Sequence, residues 1–441
     1  MTARTKTSVL RTFGACEELS SMQRRTLFER GTSNDAVVRE RTRQILGKVR
    51  SGGDDALRTM GLAYDGVTLS SLEVPRSECD AALEGLDAGL RRVMERSAAN
   101  IRRVHEAFRP DLQEVETEPG ILVGRRPDPL GRVGVYAPGG RASYPSSVLM
   151  GAIPARVAGV AQVILCSPPQ RESGRPANVV LAAAALAEVD RVFAVGGAGA
   201  IGAMAHGTTT IPRVDRIVGP GNAYVAEAKI QVSSMVGIDS PAGPSELFVL
   251  ADDSSNADVI ARELLAQAEH DPLAAVVAVT STRAHALEIQ QEIERLLPLQ
   301  PRRDISGAAL EGRGAVLWSE SLDARIEFAN MYAPEHLLLL GETTDVVLAR
   351  LRNAGTVFVG EFASVAFGDY MTGANHVLPT GGLARAYSGL STLDFVRWTT
   401  YQRVTRRAAA RMSFDVAAFA EAEGLGGHAM AARAWAVEKV P

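Results

Sequence analysis

Gln267 and His270 stand three residues apart in the stretch Leu264–Pro272, LLAQAEHDP. On a helix that spacing puts both side chains on one face. A Gln amide oxygen and a neutral imidazole nitrogen each offer a lone pair, so the two make half of a metal site. The same pair is also an ordinary surface feature, so the rest of the chain has to decide. Three further stretches carry comparable chemistry. Glu335 and His336 follow a proline in YAPEHL, where a carboxylate beside an imidazole can activate water and accept a proton. Asp369 and His376 stand in the glycine-punctuated, weakly periodic run Gly368–Gly382; a loop of that kind inside a compact domain is usually functional. Glu423 and His428 bracket the glycine-broken turn EGLGGH. Of the 7 histidines, His270, His336, His376 and His428 lie in such settings, whereas His105, His206 and His285 stand in no motif. Gln267, His270, Asp369 and His428 together form a mixed N/O set suited to zinc, with one or two positions left for substrate.

Side chains so far apart in sequence need a fold to gather them. Asn256 as a cap, Asp258 in the first turn and apolar Val259, Ile260, Leu264 and Leu265 predict a helix that ends just after His270, before Pro272. Pro334 predicts a turn feeding a strand over His336–Leu340. From Gly131 onward, short β-rich runs alternate with helical ones: Arg132–Tyr136, Gln162–Cys166, Arg191–Val195 and Arg216–Val218, each followed by a helical pattern. A second alternation begins at Leu247–Leu250 and runs through Ala274–Val279, Val316–Trp318 and Thr356–Val359. Such alternation predicts an α/β fold with two parallel-sheet units. Gly, Pro and Asn cluster at strand ends, as in Pro138-Gly139-Gly140 and Gly219-Pro220-Gly221-Asn222, the edge where open α/β sheets bind ligands. Gly197–Gly202 matches G-x-G-x-x-G, yet the acidic residue that fingerprint wants at the end of the next strand is replaced by Asp215 at its start. Small residues that let a helix pack closely are the competing explanation. Residues 1 to about 115 and the tail from about Gly389 read as mainly helical.

A chain of 441 residues exceeds one hydrophobic core and predicts two or three domains. Net charge is −4 with no clustered basic run, which argues against nucleic acid as a partner. No apolar run approaches a membrane span, and the basic N-terminus lacks the apolar segment of a secretory signal. Cys16, Cys79 and Cys166 are widely spaced and odd in number, so neither a disulfide framework nor a thiolate zinc site is expected. A cytoplasmic location is the default expectation.

Several long words occur in order: GVYAPGG, YPSSVLM, GPGNAYVAEAK, IDSPAGPSE, QAEHDP, YAPEHL, GDYMTGANHVLPTGG and EGLGGHA. On these, from about residue 35 to the C-terminus, the chain resembles the histidinol dehydrogenase family. The resemblance implies two incomplete Rossmann-like parallel-sheet domains, one inserted in the other, with helical N- and C-terminal extensions. In this sequence that means an extension over 1–34, a zinc- and substrate-binding α/β domain over 35–130 and 244–385, an NAD-binding α/β domain over 131–243, and a dimerisation tail over 386–441. It implies oxidation of L-histidinol to L-histidine through the aldehyde, the last step of histidine biosynthesis, with two NAD⁺ reduced in succession. Zinc would be held by Gln267, His270, Asp369 and His428. His336 would take the alcohol proton, and Glu335 would activate water at the aldehyde level. Ser245, His376 and Glu423 would hold the substrate together with His336 and the zinc ligands, and Tyr136 and Asn222 would contact NAD. The family is a homodimer in which the tail crosses over, so that Glu423 and His428 complete the partner's site. In one place the chain departs from the family, whose GGAQAI stretch carries an NAD-contacting Gln where this chain has Gly199. Three other readings stay open: the same fold acting on another small polar alcohol such as a sulfonated propanediol, a zinc hydrolase using Glu335, and a non-catalytic metal-binding protein. Glu423 and His376 favour a cationic, imidazole-bearing substrate, since a sulfonate would call for Arg or Lys there.

Overall fold

The computed structural model describes residues 9–31, 35–139 and 143–436. Gly140 of the expected glycine turn, and residues 1–8 and 32–34 of the expected N-terminal extension, lie outside them. In chain order the strands are β1 (Thr12–Ala15), β2 (Glu73–Val74), β3 (Gln113–Glu118), β4 (Ile121–Pro129), β5 (Arg132–Tyr136), β6 (Gln162–Ser167), β7 (Arg191–Ala194) and β8 (Arg216–Val218). After them come β9 (Gly237–Ile238), β10 (Glu246–Leu250), β11 (Ala275–Thr280), β12 (Gly314–Trp318), β13 (His336–Leu339), β14 (Thr356–Val359) and β15 (Val396–Val404).

The chain divides into two units, one of residues 1–108 and 130–395, the other of 109–129 and 396–441. The first holds two six-stranded sheets, ordered β1-β12-β11-β10-β13-β14 and β2-β7-β6-β5-β8-β9. The first of these sheets is parallel throughout; in the second only β2 runs antiparallel, beside β7. Taking β10 and β5 as the first strand of each alternation, both sheets show the order 3-2-1-4-5. Both are covered by helices, so strands such as ELFVL and AVVAVT are buried at every residue and read as continuous apolar runs.

The α/β expectation therefore holds, and the predicted strands of both alternations are present to within two residues. Three elements differ from the sequence-based reading. β1, within the stretch expected to be a helical extension, pairs in parallel with β12 at the edge of the first sheet. Within 35–130, β2 joins the second sheet, and the helix Ala36–Met60 packs on the helices Gly197–His206 and Ala223–Val232. Further along the same segment, Ser97 and Asn100 donate to the carbonyls of Tyr370 and Met371. Finally, the second unit is not wholly helical: β15-β4-β3 form an antiparallel sheet, followed by the helices Arg406–Ala422 and Gly426–Arg433. β15 alternates in burial only weakly, and its run of Arg, Thr and Gln hid it among helical patterns.

Glycines settle the status of the G-x-G-x-x-G match. It follows β7, third in sheet order, whereas a dinucleotide fingerprint follows the first strand. A Cβ at Gly202 would stand 3.0 Å from Leu46 Cδ2 and 3.4 Å from Val49, on the helix Ala36–Met60. The small residues let two helices pack closely, as the competing explanation held. The helix Ala36–Met60 itself breaks at Gly53, where φ is +51°.

Candidate active site

The residues singled out in the first sheet collect at the N-terminal ends of its strands. Glu335 immediately precedes β13 and His336 is its first residue; Ser245 immediately precedes β10. The helix Ala257–Ala268 runs back across the sheet and delivers Gln267 in its last turn. It stops at Ala268, two residues earlier than predicted, so His270 lies just past the C-cap Glu269 rather than on the helix. Asp369 comes from the short helix Val365–Tyr370, which is tied to the same helix by Val365 N–H donating to Glu263 Oε2 at 3.1 Å. Gly368 allows this, since a Cβ there would collide with the Phe358 ring.

Within this cluster the hydrogen bonds assign protons. His336 Nδ1 lies 3.0 Å from the carbonyl of Glu246, which can only accept, so Nδ1 carries the proton. Nε2 is then the exchanging position. It is buried without a hydrogen-bond partner, and Asp369 Oδ1 stands 3.7 Å away. Glu335 flanks the other nitrogen, with Oε2 at 3.4 Å from Nδ1 and accepting the Glu246 N–H at 2.7 Å. Burial alone would lower the His336 pKa, but the carboxylates of Glu335 and Asp369 outweigh it and raise it to about 10. Burial raises Glu335, with His336 opposing. Burial also acts to raise Asp369, but the neighbouring imidazoles, His336 first and then His376 and His270, bring it below the ordinary carboxylate range. His376 donates from Nδ1 to the Asp369 carbonyl at 3.1 Å and presents Nε2 to Ser147 Oγ at 3.5 Å; burial keeps its pKa down. Ser147 lies in the first turn of the helix leaving β5, so this contact joins the N-terminal edge of the first sheet to the C-terminal edge of the second.

The charges around this pair rest on residues that motif reading passed over. Glu246, the first residue of β10, supplies both backbone groups that hold Glu335 and His336, and its Oε1 accepts the Gly381 N–H at 2.8 Å. Arg30 grips its carboxylate with two hydrogen bonds, 2.9 and 3.1 Å, donates to the carbonyls of Leu27 and Tyr332, and lies 3.4 Å from the Tyr332 ring centroid. Both side chains are almost wholly buried, at 1% and 2% exposure. The one available sequence signal was a charged residue opening an otherwise apolar strand.

The donor types fit a divalent cation. Gln267 is 3% exposed, and its amide oxygen is a neutral donor of a lone pair at the end of its helix. Among the described residues no group of three or more His, Cys, Asp and Glu side chains is placed to hold a metal ion by itself. Gln267, His270 and Asp369 belong to the first unit. Glu423 and His428 belong to the second unit, Glu423 as the C-cap of the helix Arg406–Ala422 and His428 in the first turn of the next helix, both exposed.

At the C-terminal edge of the second sheet lies a cavity of about 1010 Å³, lined among others by Tyr136, Gly139, Pro168, Gly197 and Asn222. The helix Gly197–His206 opens onto it with no side-chain cap, and its Gly197 N–H donates to the Tyr136 hydroxyl at 3.0 Å. Asn222 uses Oδ1 to cap the next helix, accepting from Tyr224 and Val225 N–H, so its NH₂ is the group left for a ligand. Gly219, at the end of β8, is held from both sides by a buried ion pair: Lys229 donates to its carbonyl and its N–H donates to Asp239.

Comparison with known proteins agrees over nearly the whole chain. The family model for histidinol dehydrogenase matches residues 28–435. The histidinol dehydrogenase of Methanosarcina mazei is 45% identical over 427 residues, covering 97% of this chain and 98% of that protein. That of Halobacterium salinarum is 46% identical over 418 residues, covering 95% and 97%. The crystal structure of histidinol dehydrogenase from Elizabethkingia anophelis superposes with a TM-score of 0.92 at 33% identity, covering 97% and 98%. Among the described residues no helix is long and apolar enough to cross a membrane.

Proposed function

Because the chain belongs to the histidinol dehydrogenase family of oxidoreductases, we propose that it oxidises L-histidinol to L-histidine through histidinal, with zinc and two NAD⁺. The observation that carries this reading is His336: one nitrogen pinned by a carbonyl, the other buried, unbonded and beside Asp369. Such an imidazole exchanges its proton at one defined atom.

For the first oxidation His336 Nε2 would take the alcohol proton, and NAD⁺ held at the second sheet would supply the hydride acceptor. For the second, Glu335 would take the proton of the water that adds to the aldehyde, a second NAD⁺ again supplying the hydride acceptor. A carboxyl raised by burial is better matched to that task near neutral pH than an ordinary glutamate. Gln267, His270 and Asp369 would hold zinc, with His428 of a second copy completing the set and Glu423 of that copy pairing with the substrate ammonium. Bound there, zinc would supply a Lewis acid that polarises the alcohol oxygen and offsets the Asp369 charge that keeps His336 protonated at neutral pH. Ser147 and His376, which bridge the two edges, would hold the substrate between base and cofactor.

The test is NADH formation by the zinc-loaded protein with L-histidinol and NAD⁺, two per substrate consumed. Turnover of a sulfonated propanediol with none of histidinol would shift the substrate within the same chemistry. No NADH with any alcohol, together with hydrolysis of an ester or amide, would replace it. Mixing His336→Ala with His428→Ala subunits tests the shared site, because only a dimer with crossed tails regains activity.

A further inference from the structure

The cavity at the C-terminal edge of the second sheet lacks one expected part. In sheets of order 3-2-1-4-5 that bind a dinucleotide, an acidic residue at the end of strand two accepts hydrogen bonds from the adenosine ribose. Here strand two is β6, and it runs out into Ser167-Pro168-Pro169-Gln170, with no acid at that position. A carboxylate reaches the same place from elsewhere. Asp65 ends the π-helical turn Gly61–Asp65 and lines the cavity. Its neighbour Gly66, at φ +70°, lies against the side chain of Arg171, just beyond the end of β6: a Cβ on Gly66 would stand 3.0 Å from Arg171 Nε. Asp65 makes no hydrogen bond or ion pair with any described residue, although it is partly buried. Burial raises its pKa, and it is close enough to Tyr136 to add to that hydroxyl's upward shift. A half-buried carboxylate without donors, facing a cavity, is suited to neutral donors such as a vicinal diol and repels a phosphate in the same position.

We propose that Asp65 accepts the ribose hydroxyls on the adenosine side of the dinucleotide and thereby selects NAD⁺ over NADP⁺. The inference rests on the dinucleotide reading of this cavity. It goes further in naming the residue that discriminates, and in placing it on the helical segment 36–65 rather than on the sheet.

Equilibrium binding of NAD⁺, NADP⁺ and 2′-deoxy-NAD⁺ to the full-length protein, followed by calorimetry, tests it without turnover. Wild type should bind NAD⁺ about tenfold or more tighter than either of the others. Asp65→Asn, which keeps the shape, and Asp65→Ala should lose about that factor for NAD⁺, should no longer distinguish the 2′-deoxy form, and should accept NADP⁺ better than wild type does. If both variants bind NAD⁺ as wild type does, or if Glu172→Gln, at another carboxylate lining the cavity, carries the loss instead, Asp65 is not the discriminator and the cofactor reading stands. Preference of wild type for NADP⁺ would assign this end of the cavity to Arg171 and overturn the inference alone. Binding of neither dinucleotide would remove the cofactor reading and the inference together.

Discussion

In the sheet built on β5, the loops with functional character follow the strands. In the sheet built on β10, with the same strand order, the side chains with chemistry precede them. Helix polarity accounts for the difference. Helices begin at the C-terminal edge of a parallel sheet and end at its N-terminal edge. The first presents unpaired N–H groups and partial positive charge, the second carbonyls and partial negative charge. The edge at β5 and β8 thus suits the phosphates of a dinucleotide. The edge at β10 and β13, where Gln267 sits in a last helical turn and Asp369 near the end of another helix, suits a cation. Each edge is braced by one buried ion pair acting on backbone groups, Arg30–Glu246 and Lys229–Asp239.

The strongest way to break this comparison is to remove one charge of each brace. Arg30→Met and Lys229→Met each leave a buried carboxylate without its partner, and each should lower unfolding free energy by about 3–5 kcal/mol in urea titrations. Their functional consequences should separate: Arg30→Met should depress kcat, because Glu246 holds Glu335 and His336, while Lys229→Met should raise KM for NAD⁺, because it holds the Gly219 turn. Equal effects on both parameters would mean that the two edges are not independent devices. Next in size, His336→Ala should keep zinc by elemental analysis and lose turnover by about 10²–10⁴-fold. Loss of the metal in this variant would place His336 among the ligands and remove it as the base.

A smaller effect is expected from pH. The folded-state pKa of His336 is raised to about 10 from an ordinary value near 6.5. Its contribution to stability is therefore complete below about pH 6.5 and disappears as pH rises through about 10. After chelation, the urea midpoint of wild type should fall between pH 7 and pH 10 by more than that of His336→Gln. Parallel falls in the two proteins would show that the carboxylates of Glu335 and Asp369 do not hold the imidazole protonated.

Much of this was legible in the sequence because it is local. Period and punctuation placed the strands of both alternations, and the Gln-His, Glu-His and Asp/His stretches were visible as motifs. Sequence did not show which edge of each sheet they would occupy. The strand-end rule for open α/β sheets describes the β5 sheet and is reversed for the β10 sheet, since edge polarity depends on where each connecting helix ends. Arg30–Glu246 was missed because its two halves are 216 residues apart and neither lies in a motif with a known mechanism. The packing of the helices of 36–107 on helices of the second sheet was not legible for a similar reason: the partners lie far along the chain, and the one strand there, Glu73–Val74, is too short to show a periodicity.

The mildest change tests how far the β5 edge can be improved. Gly199, where the resemblance implies an NAD-contacting Gln, lies in the first turn of the helix Gly197–His206 and on the cavity wall. A Cβ there would lie 3.3 Å from Met60 Sδ and 3.5 Å from Leu57 Cδ2. The first contact is tight, but it is made by the flexible end of a methionine, which can move by a few tenths of an ångström. Exchanging Gly for Gln inside a helix also favours the helix by several tenths of a kcal/mol. Gly199→Gln should therefore fold at least as stably as wild type and bind NAD⁺ about five- to tenfold tighter, the contribution of one neutral hydrogen bond of about 1 kcal/mol. KM for histidinol should not change, because that substrate is assigned to the opposite edge. Unchanged NAD⁺ affinity in Gly199→Gln, but a gain in the double variant with Met60→Ala, would mean that Met60 already fills the volume the family gives to the glutamine. No gain in either would mean that the dinucleotide does not pass over this turn of the helix, and the ligand path along the β5 edge would have to be redrawn around Tyr136 and Asn222 alone.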